Sequence, residues 1–193
     1  MKRGERMTNR AQSAIKTALL ELLLEKNYSD IKISDITQRA DVGRSTLYKQ
    51  YQSKADVLMD IHVDMFTHII GDLFTSIASH VEEPPPKLVD FLERSRSMRR
   101  NPLAISYKLG RDLDYLINTI PTRLALIVEE KFKETFKVKG GDIPIQILSQ
   151  SISYLFIGLI MSWFTKFQSF HARQYAVTIQ RLMKSMIFES LEG

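Results

Sequence analysis

A chain of 193 residues with 44% hydrophobic side chains can bury a substantial core, either as one domain or as a small domain beside a larger one. Its 27 Lys and Arg against 22 Asp and Glu leave a net charge of +5, which favours polyanionic partners without naming one. The absence of cysteine excludes a disulfide framework and any thiolate metal site, and fits a reducing compartment.

The opening residues, MKRGERMTNRAQ, are charged and lack the apolar core and small-residue cleavage site of a secretory signal, so a cytoplasmic protein is expected. Apolar residues then recur at Ala11, Ile15, Ala18, Leu19, Leu22 and Leu23, the stripe of an amphipathic helix that Thr8 would cap and that would end near Asn27. Ser34 reads as the N-cap of a second, two-turn helix carrying Ile36 and Ala40 on one face. Asp41-Val42-Gly43 supplies a turn in which Gly43 would take a positive φ and Val42 would plug the space between helices. The third helix runs from about Arg44 to Tyr51. At 100° per residue Leu47 and Tyr51 point to one side, while Ser45, Thr46, Lys49 and Gln50 point to the other. Between Val42 and Ala55 there are cations at Arg44, Lys49 and Lys54 and no acid, and this local asymmetry is more informative than the total charge.

Ser53-Lys54-Ala55-Asp56 reads as a cap with an acid in the first turn, opening a long helix through Leu58, Ile61, Met65, Ile69, Leu73 and Ile77 to about His80, ended by Pro84-Pro85-Pro86. Helical patterns continue with Leu88, Phe91 and Leu92, then Leu103, Ile105 and Leu109 after Asn101-Pro102. Pro121 starts or kinks a further helix that reaches Phe136 before Gly140-Gly141 breaks it. Two long helices close the chain. The first begins near Pro144 and is apolar on more than one side; the second carries Tyr175, Ile179, Leu182, Met183, Met186 and Ile187. The most apolar run, Ile152 to Thr165, stops at Lys166, short of the ~20 residues that span a bilayer, so a buried helix is expected and no membrane partner. No strand-like alternation appears. The expected fold is all-α, about nine helices, with a three-helix helix-turn-helix domain over residues 1–54 joined by a long helix to a larger helical effector-binding and dimerisation domain over 55–193.

A helix in a major groove needs short polar side chains for close approach and longer donors for base edges and phosphates. Ser45, Thr46 and Gln50 suit bases, Arg44 and Lys49 reach a guanine or a phosphate, and Tyr48 offers a hydroxyl to the backbone. Ser34 stands at the entrance to the motif, and Lys54 with the amides at the start of the fourth helix would add an anion site. The competing reading, a solvated helix face, explains the polarity but not the agreement of turn, caps and charge over about twenty residues.

The same residues resemble a known family. Ile33-Ser34-Asp35-Ile36, Ala40-Asp41-Val42-Gly43, Ser45-Thr46-Leu47-Tyr48 and Tyr51-Gln52-Ser53-Lys54-Ala55-Asp56 are similar to the N-terminal domain of the TetR family of bacterial transcriptional regulators, over about Thr8 to Leu58. The family more often has an aromatic or His at Lys49-Gln50 and Phe at Tyr51, so its base preferences do not transfer. The resemblance implies a homodimer paired through the last two helices, repression by binding a near-palindromic operator in double-stranded DNA, and a ligand pocket in the helical body. Tyr154 to Phe167 is similar to Gram-positive members related to regulators of dihydroxyacetone kinase genes.

Met65, Phe66, Tyr107, Tyr115, Trp163 and Phe167 would line a pocket for a small apolar or mixed-polarity effector, although aromatics at helical spacing more often form core. Arg94, Arg96, Arg99 and Arg100 form a basic cluster that reads as a solvated face before it reads as an anion site. His62 and His68 are six apart and do not share a face as metal ligands would; no metal, cofactor or catalytic constellation is expected, and no enzyme. The alternatives to an effector-released repressor are an activator or partner-binding regulator with the same head and no effector, and a basic helical module that docks on protein or membrane.

Overall fold

The computed structural model describes residues 3–96, 109, 111–136 and 143–192, and every regular element among them is helical. Eight α-helices follow one another: α1 (Arg3–Glu25), α2 (Ile33–Arg39), α3 (Arg44–Tyr48), α4 (Lys54–Ala78), α5 (Pro86–Arg96), α6 (Arg111–Phe136), α7 (Ile145–Ser162) and α8 (Ala172–Glu192). A 3-10 turn spans Tyr28–Asp30, and α7 runs on into a π-helical stretch at Trp163–Phe167. The patterns at Leu103 and Ile105 and at Gly140-Gly141 lie outside the described residues.

The described residues form two compact units. The first holds residues 3–62 with 109 and 111–116; the second holds 63–96, 117–136 and 143–192. The boundary between these units falls within α4, and the first residues of α6 belong to the first unit. Side-chain bonds tie both stretches to it. Within the first unit the Tyr51 hydroxyl donates to Asp60 at 2.7 Å, Lys16 pairs with Asp60 at 3.3 Å, Tyr28 donates to Asp112 at 2.7 Å and Tyr115 donates to Asp56 at 2.7 Å. Ile15, Leu19, Ile36 and Leu47 are fully buried, the apolar stripes read from the sequence. At the α1–α2 contact, Arg39 clasps Glu25 through two bonds of 2.8 Å and holds its carboxyl below the usual carboxylate range.

Several helix ends differ from their expected chemistry. α1 begins at Arg3, five residues before Thr8, and takes in Gly4 in its first turn. Ser34 is not the cap of α2: Lys32 takes that position, and its amide is satisfied by the Asp35 carboxylate at 3.0 Å. A carboxylate at the third helical position is a stronger acceptor than a serine hydroxyl and is further fixed by Lys26 at 2.6 Å. α4 ends before the prolines. His80 adopts φ 54°, while the Val81 amide donates to Ser76 and the His80 amide to Ile77, closing a Schellman turn four residues ahead of Pro84. Pro86 instead opens α5, where its missing N–H costs nothing. Pro121 neither starts nor ends a helix, since α6 runs through it from Arg111 to Phe136.

The second unit packs aromatic rings edge to face: Phe66 against Phe91 and Phe156 with centroids 5.8 and 5.6 Å apart, and Phe74 against Phe132 at 5.9 Å. Trp163 is fully buried and its indole N–H donates to Ser95 at 2.9 Å. The apolar helix starts beside Pro144 as expected, and the run Ile152 to Thr165 lies within it and its π-helical continuation. Ile145–Phe167 covers 23 residues, long and apolar enough to cross a bilayer, with half of its most apolar window buried inside the molecule.

His62 on α4 is buried, and its Nδ1–H donates to the Leu58 carbonyl at 2.8 Å. Burial depresses its pKa against the raising effect of that bond. A depressed histidine stabilises the fold above the unfolded pKa of about 6.5, and that contribution is lost as pH falls from there toward the folded value. Urea midpoints measured between pH 8 and pH 5 should fall on the acid side. His62→Gln should flatten that part of the profile, and an unchanged profile would remove His62 as its source.

Candidate nucleic-acid interface

The reading surface is built from a helix too short to stand alone. α3 has five residues, and Leu47, fully buried, is its anchor. The Leu47 carbonyl accepts from the amides of Gln50 and Tyr51, both at 2.9 Å, so the chain beyond α3 is folded back over that anchor. Tyr51 is 5% exposed and points inward as expected. Around this anchor Arg44, Ser45, Tyr48 and Lys49 are exposed and Thr46 and Gln50 half-buried, and Ser34 on α2 is half-buried as well.

The turn feeding α3 reaches its geometry by a different residue from the expected one. Asp41 has φ 51°, the left-handed conformation that Asp tolerates, whereas Gly43 sits at φ −70° and ψ 149° as the N-cap of α3. Val42 is half-buried, and its amide donates to Thr37 at 3.0 Å. Gly43 is therefore not required for its φ. A Cβ there would meet Ser45 Oγ at 3.6 Å and Thr46 Oγ1 at 3.9 Å, ordinary contacts on the reading side of the helix.

Lys54 departs most from expectation. Its ammonium donates to the carbonyls of Tyr28 at 2.7 Å and Ile31 at 2.9 Å, and lies 4.2 Å from the centre of the Tyr28 ring. Partial burial lowers its pKa, opposed by Asp112 and Asp30. The Tyr28 hydroxyl is itself pushed up by burial and by its bond to Asp112. The amides beside Lys54 are also engaged: those of Gln52 and Ser53 donate to the Asp56 carboxylate at 3.0 and 2.9 Å, and the Asp56 amide donates to Ser53 Oγ at 3.2 Å. The Ser53 cap stands, but these three amides are satisfied by the protein's own side chains and make no ready anion site. Lys54→Ala should cost about 2 kcal/mol in urea unfolding, because it strips a charged donor from two carbonyls. It should also leave the salt dependence of DNA binding nearly unchanged. An unaltered unfolding midpoint with a salt slope smaller by one ion would restore Lys54 to the phosphates.

Of the expected effector set, Met65, Phe66, Trp163 and Phe167 belong to the second unit. Phe66 and Trp163 are buried in the ring packing of the second unit, Met65 is half-buried, and Phe167 packs on Phe170 and Tyr175. Tyr115 belongs to the first unit and donates to Asp56; Tyr107 lies outside the described residues. A cleft of about 610 Å³ in the second unit has mixed walls, with Val81, Pro84, Pro85, Pro86 and Val89 beside Asp72, Ser76, Glu83, Asp90, Glu93 and Arg173. Three of its acids are engaged: Asp72 with Lys87 at 2.9 Å, Asp90 with Arg94 at 2.7 Å, and Glu83 with Arg173. Of the basic cluster, Arg94 thus makes an i, i+4 pair, while Arg99 and Arg100 lie outside the described residues. Among the described residues no three His, Asp or Glu side chains are grouped to hold a metal.

Sequence reasoning also missed Gln12. From α1 its Nε2 donates to Gln50 Oε1 at 2.9 Å. No local pattern pairs residues that far apart in the chain.

Residues 15–61 match the family described as bacterial regulatory proteins, tetR family. The HTH-type transcriptional regulator YdeS of Bacillus subtilis is 39% identical over 59 residues, covering 31% of this chain and 30% of that protein, so the chain matches less than a third of that relative's length. The HTH-type transcriptional regulator AlkX of Mycobacterium tuberculosis is 25% identical over 160 residues, covering 77% of this chain and 74% of its own. In three dimensions the TetR family repressor AlkX of Dietzia sp., implicated in biodegradation of n-alkanes, superposes with a TM-score of 0.63 at 18% identity, over 93% of this chain and 96% of that one. That likeness extends the shared fold well beyond the head. The head, residues 15–61, is thus that of the tetR family of bacterial regulatory proteins, and the fold is shared over most of the chain.

Proposed function

We propose that the protein is a cytoplasmic, DNA-binding transcriptional regulator that works as a homodimer paired through α7 and α8, represses from a near-palindromic operator and is released by a small molecule. The observation that carries this reading is the exposed, carboxylate-free face of α3, with Arg44, Ser45, Tyr48 and Lys49 outward over the buried Leu47. Arg44, Lys49 and Tyr48 position the head on phosphates or guanine, Ser45, Thr46 and Gln50 meet base edges, and Ser34 lies beside the backbone at the start of α2. The relatives named above are regulators, and the domain they share is this head. Release requires the effector to bind one separation of the two heads better than another, with α4 as the lever.

Selection of bound fragments from a genomic library at physiological salt tests the reading. It should recover near-palindromes whose half-sites lie one helical turn, about 34 Å, or a multiple apart. No preference for any fragment would sink it, and a monomer by light scattering would remove the palindrome. A second reading, a regulator with the same head and no effector, is favoured by the closed packing of Phe66 and Trp163 where an apolar cavity was expected. Thermal-shift screening against apolar and mixed-polarity compounds separates the two, because an effector that binds the folded state raises the midpoint with concentration.

A further inference from the structure

We infer that Gln12 is a positioning residue for sequence specificity: it holds the Gln50 carboxamide with its NH2 toward the duplex, so that the head selects a keto base, guanine or thymine, on the contacted strand. The inference deepens the DNA-reading role proposed for α3 and rests on it.

A glutamine side chain ends in two chemically opposite groups, an acceptor oxygen and a two-proton donor nitrogen, joined by a bond with a broad torsional preference. Left alone, it can present either group to a base. Gln50 is not left alone. Its backbone amide is tied to Leu47 at 2.9 Å, and its Oε1 accepts from Gln12 Nε2 at 2.9 Å across 38 residues of sequence. Gln12 is fixed in turn by α1. It lies three residues before Ile15 and seven before Leu19, both fully buried, and so stands over the face of α1 that packs into the head. Both glutamines are half-buried, which places the bridge at the margin of the packed head. With the oxygen engaged, the nitrogen and its two protons occupy the other side of the carboxamide. Guanine O6 and thymine O4 accept such a donor in the major groove, whereas adenine N6 and cytosine N4 are themselves donors. The bridge also restrains a long side chain before binding, which lowers the ordering cost of the contact.

The test is selection from randomised duplexes by the full-length wild type, Gln12→Met, Gln12→Glu, Gln50→Ala and the Gln12→Met/Gln50→Ala double variant, with melting curves for each. The wild type should select a keto base at one position in each half-site. Gln12→Met, of similar length but without the donor, should lose on the order of fivefold discrimination at that position alone. Gln12→Glu can only accept, so it draws the Gln50 NH2 inward, turns the oxygen outward and should shift the preference to adenine or cytosine. Gln50→Ala should erase the same position, and adding Gln12→Met to it should change nothing further. An equal loss of affinity on every sequence, or a wild-type preference that survives Gln12→Met intact, overturns the bridge while leaving the regulator reading in place. A wild type with no sequence preference overturns both.

Discussion

Gly158→Arg should turn the protein into a folded monomer by light scattering and weaken operator binding by about 10²- to 10⁴-fold. On α7, Ile147, Ser151, Tyr154 and Gly158 follow at spacings of four, three and four, a single helix face, and all four are exposed. Ile147 is 60% exposed and Tyr154 50%, a large apolar surface for one face, and on α8 Leu182 is 44% exposed although its neighbour Met183 is fully buried. A two-fold interface brings the same patch from both copies together, so a residue near the axis meets itself or its near neighbours. Gly158 suits such a close approach. A Cβ placed there meets no atom within 4 Å, so an arginine clears its own chain and, with better helix propensity than glycine, leaves α7 intact. Between two copies it would bury like charges without partners. Loss of pairing removes the linkage that makes the second half-site contact intramolecular, which is the source of the large affinity change. Circular dichroism should show unchanged helical content. A dimer with undiminished affinity would place the interface elsewhere.

What the sequence made legible followed from its periodicity. The stripe through Ile15, Leu19 and Leu22, the inward pair Leu47 and Tyr51, and the Ser53-to-Asp56 capping pattern are local regularities with one physical reading. The misses came from competition between equally plausible local partners. Ser34 and Asp35 are adjacent cap chemistries, and the carboxylate prevails because Lys26, nine residues upstream, orients it. Asp41 and Gly43 both tolerate positive φ, and spacing does not choose between them. Other facts depend on contacts between distant parts of the chain. Two carbonyls near Tyr28 converge on Lys54 only once the 3-10 turn lies beside the start of α4, and the aromatic rings that read as a pocket are revealed as core only when Phe91 and Phe156 close on Phe66. Composition shows that a cation or a ring is present; topology decides what it touches.

Leu47→Ala should destabilise the head by about 3 kcal/mol and abolish binding to every DNA sequence alike. A five-residue helix holds no conformation by itself, since its few backbone bonds do not offset the cost of nucleation. Its position is imposed by burial of Leu47, the one fully buried side chain in α3, and by the two amides that return to the Leu47 carbonyl. Truncation leaves a cavity beneath α3, and a small unit has little stability in reserve against such a loss. Leu47→Met, which nearly conserves volume, should cost less than about 1.5 kcal/mol and retain binding. The single tryptophan separates head from body in this experiment, because Trp163 lies in the second unit, bonded to Ser95. In urea, Leu47→Ala should shift an early part of the circular dichroism transition to lower concentration while the Trp163 fluorescence transition stays near its wild-type midpoint. Two transitions moving together would mean that the head does not unfold on its own. A loss of binding confined to one base position would mean that Leu47 shapes readout locally, where its complete burial instead predicts that it supports the whole reading surface.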